Sequence, residues 1–488
     1  MKDRLLKYLK SDRHLWWTVT LIPGAYCILY LYTNNFTLIN SWYQLIACLL
    51  AFLVLPIVEI WILDTIFKKW LPKWRPHLYW NYLIINFAII LSLTVYLGWR
   101  WKALILIAVL TLASSFFIAR HYKKLVLLIS LMTLIAGYQF LYFYIQRVAS
   151  HEDWVQKMAF EDLEFKIRPN IYLIQPDGFV GRQAASNPYY NLELADFYQF
   201  LDSAGLKTND HYRSNYPSTL TSNAALFTAQ HHFFDNGSME NELLNARSII
   251  TGKNPVLNTL KNNGYTTHLI LQHAYLIMNF PDVAYDQVNI KKNEVSVPVP
   301  DYYVDKDLMG DFSKALKTQT DAPQFYFVEL LEPGHIPGSS TPEEVEKEVA
   351  NYKQGLYNTT DKLKKMVSLI NRQDPSGIII LAADHGGFVG LNNTHEAFSK
   401  LTDDKGIKES IYNSLLSIKA PTDFTPYGNN IKSSIGLFPN LFAYLSDQPL
   451  PQDSIDNSSY MFIKEHGTRG VYKYFNTDGK PVTEKMKP

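Results

Sequence analysis

Five apolar segments in the first third of the chain constrain its fold more than any other feature of the sequence. Each is long enough to span the roughly 30 Å hydrocarbon core of a bilayer as an α-helix. They are Leu15–Tyr32, Tyr43–Leu63, Tyr79–Leu97, Ala103–Ala119 and Leu125–Ile145. A soluble protein also buries apolar helices, but five such segments with alternating loop charge favour a membrane domain. We therefore predict a transmembrane domain of five helices over residues 1–147.

The basic residues of this domain predict its orientation. They cluster before the first segment, after the second and after the fourth: Lys2, Arg4, Lys7, Lys10 and Arg13; Lys68, Lys69, Lys73 and Arg75; Arg120, Lys123 and Lys124. By the positive-inside rule these clusters are cytoplasmic. An odd number of spans then places the remainder of the chain outside, so we predict a multi-pass protein of the cell membrane. Glu59, an acidic exception in the second segment, either has a function in the membrane or reaches its interface.

Composition limits which partners and cross-links can be expected for the remaining two thirds of the chain. The formal net charge of the chain is +1, and no Lys/Arg block follows the membrane domain, which argues against a nucleic-acid partner. Cys27 and Cys48 both lie in apolar segments, so the second part of the chain has no disulfides. Residues 148–168 mix apolar and charged side chains and predict an interfacial linker helix. Residues 169–488 then form an extracytoplasmic domain.

Strands and helices alternate through this second domain. The predicted strands are Asn170–Gln175, Thr267–Gln272, Gln324–Leu330 and the apolar run Ile378–Ala383, and the predicted helices are Asn191–Ala204, Leu220–Gln230, Val256–Asn263 and Pro342–Ile370. Alternation of this kind predicts an α/β sandwich with a largely parallel sheet.

Chemically useful side chains follow the predicted strands. They are Asp177, His273, His335, Asp384 and His385. A single His after a strand is more often structural, but the carboxyl ends of parallel strands share one edge, where active sites form. An adjacent Asp-His pair can offer an oxygen and a nitrogen to one divalent cation. Their joint placement therefore favours a site.

The segment Tyr216–Thr228 places hydroxyl groups at the start of a predicted helix. A helix N-terminus favours an anion and could help to ionise a metal-bound Thr or Ser. The local sequence is equally explained by Ser218 or Thr219 acting as an ordinary N-cap.

These motifs together resemble the alkaline phosphatase/sulfatase superfamily, in particular its membrane-bound lipoteichoic acid synthases and phosphoethanolamine transferases. The matching motifs are Asn170–Ile174 ending at Asp177, Thr219-x-x-Ser222, Asp384-His385-Gly386 and Ser433-Ser434-x-x-Leu437-Phe438-Pro439. The resemblance covers nearly the whole chain, because these families also place five spans before an extracytoplasmic sulfatase-like domain. It implies a sulfatase or alkaline phosphatase type of α/β sandwich.

The resemblance also implies roles for individual residues. One divalent metal, manganese or zinc, would be bound by Asp177, Thr219, Asp384 and His385, with Thr219 as the nucleophile. The Cys-x-Pro-Ser-Arg motif of sulfatases proper is absent, which disfavours a sulfatase. His273, His335 and His395 fall where the synthases place histidines around the phosphate or the second metal position. The synthases' Trp-Asn-Arg segment is reduced here to an Asn within Ile277–Phe280, and Arg213 could replace the missing arginine.

The function implied is transfer of a phospholipid headgroup, glycerol phosphate from phosphatidylglycerol, through a phospho-threonine intermediate. The acceptor would be a cell-envelope glycan or polymer. A phosphoethanolamine transferase is the nearest alternative, although those enzymes usually carry extracytoplasmic disulfides. A phosphodiester or sulfate ester hydrolase and a non-catalytic binding module are the other two.

Overall fold

The computed structural model describes residues 7–9, 11, 13–234, 242–297, 302–304, 306–318, 321–336, 338, 341–449, 455–465 and 467–487. Lys2, Arg4 and Lys10, used above for orientation, lie outside these residues. The chain forms two compact units. The first comprises Met1–Glu152 with Met278–Phe280 and Val295–Tyr302, and the second comprises Asp153–Ile277, Pro281–Glu294 and Tyr303–Pro488.

The described part of the first unit is helical. Its α-helices are α1 (Thr18–Ile39), α2 (Trp42–Leu49), α3 (Leu55–Trp70), α4 (Arg75–Val95), α5 (Trp101–Ile118) and α6 (Tyr122–Phe143). The π-helical turn Leu50–Val54 joins α2 to α3, the 3-10 turns Pro72–Trp74 and Ala119–His121 precede α4 and α6, and the π-helical turn Tyr144–Ala149 follows α6.

Three helical stretches among the described residues are long and apolar enough to cross a membrane. They are Trp42–Trp70, Pro72–Val95 and Trp101–Ala149. The last, of 49 residues, contains two of the five predicted segments on either side of the turn Ala119–His121. The described residues therefore contain helices that could span a membrane, while the count of five spans stays a prediction.

An ion pair fixes the turn between α3 and α4. The Arg75 guanidinium donates from Nε to Oδ1 of Asp64 over 2.9 Å and from Nη2 to Oδ2 over 3.2 Å. The Tyr79 hydroxyl also donates to Asp64. This bidentate geometry satisfies the Asp64 charge, which is why an acidic residue is tolerated near the end of an apolar helix.

The second unit is built on a mixed sheet of seven strands in the order β2-β7-β6-β1-β5-β3-β4. The strands are β1 (Ile171–Pro176), β2 (Lys207–Thr208), β3 (Thr266–Leu271), β4 (Gln287–Val288), β5 (Gln324–Leu330), β6 (Ile378–Ala382) and β7 (Leu416–Lys419). The neighbours from β6 to β4 pair in parallel, and β7 and β2 add an antiparallel edge. The sequence prediction of a largely parallel sheet is confirmed.

Helices cover this sheet. They are α7 (Arg182–Ala185), α8 (Ala195–Ser203), α9 (Thr219–Thr228), α10 (Ala246–Thr251), α11 (Pro255–Asn262), α12 (Leu308–Lys317), α13 (Pro342–Gln373), α14 (Thr394–Ser399), α15 (Lys405–Tyr412), α16 (Thr425–Asn429) and α17 (Ser434–Ser446). Every residue of β1, β5 and β6 is buried. Burial on both faces explains why these strands are continuous apolar runs rather than alternating ones.

The predicted linker helix is wrong for the described residues. Within 150–168 the structure has only a 3-10 turn, Ala159–Asp162, in which the Glu161 carboxylate accepts from the backbone N–H of Met158. The backbone N–H of Phe165 donates to Asn263, and that of Lys166 to the carbonyl of Leu445. Because these donors are used by the second unit, they are unavailable to a helix of their own.

A second, antiparallel sheet near the C-terminus was not predicted. It has the order β10-β9-β8, with β8 at Ser459–Ile463, β9 at Gly470–Phe475 and β10 at Pro481–Lys485. The buried amine of Lys408 on α15 donates to the Val482 carbonyl and to the Thr483 hydroxyl, each over 2.6 Å, and so ties β10 to the rest of the second unit.

Candidate active site

Strands β1 and β6 deliver the first three residues of the site. They pair in register from Ile171 with Ile378 to Ile174 with Leu381, so their carboxyl ends lie side by side. Asp177 follows β1, and Asp384 and His385 follow β6. All three are buried, with Asp177 8% exposed, Asp384 2% and His385 1%. The expected meeting of strand ends at one sheet edge is confirmed for these residues.

The first residue of α9 supplies the fourth side chain. Ser218 is the N-cap and forms a capping box with Thr221, whose hydroxyl accepts from the backbone N–H of Ser218 over 3.3 Å. The Thr219 hydroxyl takes no part in capping. It donates instead to Oδ1 of Asp177 over 2.9 Å. Of the two explanations left open by the sequence, ordinary capping therefore applies to Ser218 and not to Thr219.

The His385 ring is oriented by its own backbone. Nδ1 lies 2.8 Å from the Gly386 carbonyl oxygen, which can only accept, so Nδ1 carries the proton of that bond. The other nitrogen, Nε2, lies 3.4 Å from Oδ1 of Asp177, 3.5 Å from Oδ2 of Asp384 and 3.5 Å from the Thr219 hydroxyl. One imidazole nitrogen, two carboxylates and a hydroxyl thus converge on a single point.

This cluster fits a divalent cation. One ligand atom from each of Asp177, Asp384 and His385 lies within 4.8 Å of the others. Oδ1 of Asp384 accepts from the backbone N–H groups of Gly178 and His385, whereas its Oδ2 is buried with no hydrogen-bond partner among the described residues. Nε2 of His385 lies 3.5 Å from this Oδ2, and a buried carboxylate oxygen without a hydrogen bond is costly unless a cation pairs with it. The oxygen and nitrogen donors suit zinc or manganese without choosing between them.

Burial and mutual charge shift the pKa values of the three titratable residues of the cluster. Burial raises the pKa of Asp384 to about 7, opposed by the imidazole of His385 and assisted by the carboxylate of Asp177. Burial alone would lower the pKa of His385, but the two carboxylates outweigh it and raise that pKa to about 9. Burial also opposes ionisation of Asp177, yet its hydrogen bond and attraction to His385 hold the pKa of Asp177 below its usual range. The metal-free site thus holds protons that a cation would displace.

Of the remaining candidate residues, His335 is beside this cluster. Its ring centroid lies 5.8 Å from that of His385, and its Nδ1 lies 3.0 Å from the carbonyl oxygen of Ile336. His335 is exposed, so it stands at the open side of the buried cluster.

For the other three candidates, His273, His395 and Arg213, the structure describes no contact with the cluster. His273 bonds the Val304 carbonyl and packs on Tyr303, and His395 is exposed on α14. Arg213 is buried beside the C-terminal sheet, donating to the carbonyl of His211 and lying over the Phe475 ring. Burial lowers the pKa of Arg213 to about 10. A role in phosphate binding stays a prediction for all three.

Sequence reasoning assigned no role to the residues that hold the loops and elements of the cluster in place. The Ser222 hydroxyl donates to the Asp384 carbonyl over 2.6 Å, which explains the Thr219-x-x-Ser222 spacing on one helix face. The Tyr352 hydroxyl donates to the Gly178 carbonyl. Gln175 and Asn223 exchange two side-chain bonds of 2.8 Å, joining β1 to α9. Their polarity at buried positions was the available signal.

Glu329 on β5 was missed as well. Its side chain is fully buried, and neither carboxyl oxygen has a hydrogen-bond partner among the described residues. Burial, reinforced by the charges of Asp177 and Asp384, raises the pKa of Glu329 well above its usual value. Its environment therefore favours the neutral acid beside Asp177 and Asp384.

Comparison with known proteins agrees with this geometry. Residues 170–409 match the family model described as Sulfatase. That segment contains β1, α9, β5 and β6, and with them Asp177, Thr219, Asp384 and His385. This segment is therefore similar to the sulfatase family, in agreement with the alkaline phosphatase/sulfatase superfamily that the motifs of the chain resemble. The protein is an enzyme of the sulfatase-like superfamily.

Solved structures are similar to parts of the chain at low identity. The C-terminal periplasmic domain of EcEptC from Escherichia coli has 15% identity and a TM-score of 0.44, covering 66% of this chain and 96% of that one. A putative sulfatase, yidJ, from Bacteroides fragilis has 14% identity and a TM-score of 0.43, covering 63% and 85%. The phosphonate monoester hydrolase of Agrobacterium radiobacter has 12% identity and a TM-score of 0.42, covering 65% and 89%. No curated protein sequence matches the chain.

Proposed function

We propose that this protein is a metal-dependent phosphotransferase of the cell membrane whose catalytic domain is extracytoplasmic. It moves the glycerol phosphate headgroup of phosphatidylglycerol through a phospho-threonine intermediate onto a hydroxyl of a cell-envelope glycan or polymer. Apolar helices in the first unit support a membrane lipid as the donor. The superfamily supports phosphoryl or sulfuryl chemistry.

The observation that carries the proposal is the position of the Thr219 hydroxyl. It is 9% exposed, at the N-terminus of α9, and bonded to Asp177 rather than used for capping. A hydroxyl held this way is available as a nucleophile, and the helix N-terminus favours the anion that forms on it. The N–H groups of the first turn also favour a phosphate bound there.

Asp177, Asp384, His385 and the Thr219 oxygen would hold the metal. A divalent cation there lowers the pKa of a coordinated hydroxyl and neutralises charge developing on the phosphoryl oxygens. Asp177 accepts the Thr219 proton in the hydrogen bond of 2.9 Å. The Nδ1–H bond to Gly386 keeps Nε2 of His385 turned toward the cluster. His335, exposed beside His385, would orient the phosphate.

The reaction proceeds in two displacements. In the first, the Thr219 hydroxyl loses its proton and its oxygen bonds to phosphorus, while the bond from phosphorus to the diacylglycerol oxygen breaks and that oxygen takes up a proton. In the second, the acceptor hydroxyl loses its proton and bonds to phosphorus, while the bond from phosphorus to the Thr219 oxygen breaks and that oxygen takes up a proton. One proton passes overall from the acceptor to diacylglycerol, and Thr219 is regenerated.

The test is the intact mass of the full-length protein in detergent after incubation with manganese or zinc and phosphatidylglycerol. A mass gain of one glycerol phosphate is expected for the wild type and for Thr228→Ala. The Thr228 hydroxyl, at the other end of α9, bonds only helix carbonyls and is a matched control. No gain is expected for Thr219→Ala.

The other outcomes separate the alternatives. An adduct with phosphatidylethanolamine and not with phosphatidylglycerol would identify a phosphoethanolamine transferase. Release of headgroup into water, independent of any glycan, would identify a hydrolase. If no lipid modifies Thr219 and no metal is bound, the catalytic proposal fails and a binding module remains.

A further inference from the structure

A cavity of about 520 Å³ lies within the first unit. Its walls come from all three helical stretches that are long and apolar enough to cross a membrane. Glu59 and Phe67 belong to the first stretch, Asn81 and Asn86 to the second, and Phe116 to the third. The volume is that of an ordinary small-molecule pocket.

The cavity contains a carboxylate without a cation. Oε2 of Glu59 lies 2.7 Å from the Tyr82 hydroxyl, and no Lys, Arg or His of the described residues forms an ion pair with it. Along α3, Glu59 is about 16 Å from Trp70 at 1.5 Å per residue, which is deep in a stretch of 29 residues. An ionisable side chain at such a depth usually faces a partner or a ligand.

Two amide groups of the lining are also unsatisfied. Oδ1 of Asn81 and Nδ2 of Asn86 are buried and have no hydrogen-bond partner among the described residues. Both residues line the cavity, one turn and a half apart on α4. Within a bilayer no bulk water is available to satisfy such groups, so a polar ligand is the remaining partner.

Aromatic rings also line the cavity. The Trp74 and Phe116 rings meet edge to face at 6.2 Å, and the His77 ring lies 4.8 Å from Trp74 and 6.0 Å from Phe116. Aromatic faces attract cations, most strongly where water is excluded. The cavity continues along Ile85, Ile89 and Leu112, which suit a hydrocarbon chain.

We propose that this cavity binds a membrane lipid whose headgroup carries an ammonium group. Glu59 is the counter-ion of the ammonium, Asn81 and Asn86 bond the polar neck of the lipid, and the apolar wall receives its chain. A lipid with a net negative headgroup and no amine is disfavoured because the Glu59 carboxylate repels it. Its lining residues all belong to the first unit, and the proposal does not depend on the reaction proposed above.

The test is lipid retention measured by native mass spectrometry. Full-length Thr219→Ala, which cannot turn a donor over, is incubated with equal amounts of phosphatidylethanolamine and phosphatidylglycerol of identical acyl chains. We expect one phosphatidylethanolamine to be retained in about tenfold preference, the size expected of one desolvated cation contact. Adding Glu59→Gln should remove most of that preference, whereas Glu152→Gln, exposed in the same unit, should leave it unchanged.

Asn86→Leu provides a second variant, since it exchanges an unsatisfied amide for an apolar side chain and keeps the Glu59 charge. It should weaken retention of phosphatidylethanolamine and leave the protein folded. Equal retention of both lipids, no retention of either, or unchanged preference in both Glu59→Gln and Asn86→Leu would overturn the proposal. Phospho-threonine formation in the wild type is measured independently, so failure of either proposal is recognisable without the other.

Discussion

Gly178 donates its backbone N–H to Oδ1 of Asp384 over 3.0 Å, joining the loop after β1 to the residue after β6. Gly178 has a φ of +65°, and a Cβ atom added to it would lie 2.0 Å from the carbonyl oxygen of Gly334. The backbone N–H of Gly334 in turn donates to the Asp177 carbonyl. The absence of a side chain at Gly178 is therefore what allows three loops to meet around the cluster.

Gly178→Ala should destabilise the protein by roughly 2–4 kcal/mol, combining a left-handed φ with a backbone clash. It should also weaken metal binding, because Asp384 loses its orientation. Gly264→Ala is the matched control, since Gly264 has a φ of +82° but nothing within 4 Å of an added Cβ. That variant should lose only about 1 kcal/mol. Urea unfolding measures the stability of both variants, and metal titration measures their metal affinity. Equal losses of stability in the two variants would contradict the backbone clash at Gly178.

Metal affinity should rise with pH between about 6 and 9. In the metal-free protein His385 has a pKa raised to about 9 and Asp384 one raised to about 7, so both bind protons below those values. A metal must displace these protons, and the protons become easier to displace as pH rises. Calorimetry in buffers of different ionisation enthalpy should detect proton release at pH 7, reduced in His385→Gln. Affinity independent of pH would contradict this assignment.

Asp384→Asn should lower metal affinity about a hundredfold, since an amide replaces a carboxylate whose buried Oδ2 has no hydrogen-bond partner among the described residues. The metal-free variant should nevertheless be more stable than the wild type, because repulsion from Asp177 is removed. Metal content and melting temperature are the measurements. Asp447→Asn, where the carboxylate is exposed, is the control. Loss of metal together with loss of fold would not support a ligand role.

Glu329→Gln should stabilise the metal-free protein more at pH 8 than at pH 5. A carboxyl with a raised folded pKa binds more protons folded than unfolded above the usual Glu value, so stability falls as pH rises. Each unit of the shift corresponds to about 1.4 kcal/mol. Gln keeps the shape and removes this dependence. Melting temperatures in a chelator check it against the exposed Glu164→Gln, and equal changes at both pH values would contradict it.

The local sequence pattern was sufficient to predict the main buried strands and helices of the second unit. The predicted strand Gln324–Leu330 has the observed bounds, and the predicted helix Pro342–Ile370 ends at Gln373. Both are long and strongly patterned, and Thr341 caps the helix with Glu344 as its partner. Asp177, Asp384 and His385 could be anticipated because parallel strands align their ends.

Long-range partners could not be anticipated. Nothing near Arg213 in the sequence indicates that it packs on Phe475, and nothing near Glu329 indicates two carboxylates beside it. The stretch after Glu152 has the mixture of apolar and charged residues of a surface helix, yet tertiary bonds to Asn263 and Leu445 override that tendency.

That stretch also decides where the catalytic part of the protein starts. The Phe160 and Phe165 rings are buried against Phe442, with ring centroids 5.5 and 5.2 Å from that of Phe442. The stretch after Glu152 is therefore part of the hydrophobic core of the second unit. A truncated fragment beginning at Arg168 would leave this aromatic surface uncovered and prone to self-association. A fragment that begins at Asp153, the first residue of the second unit, keeps both rings in place.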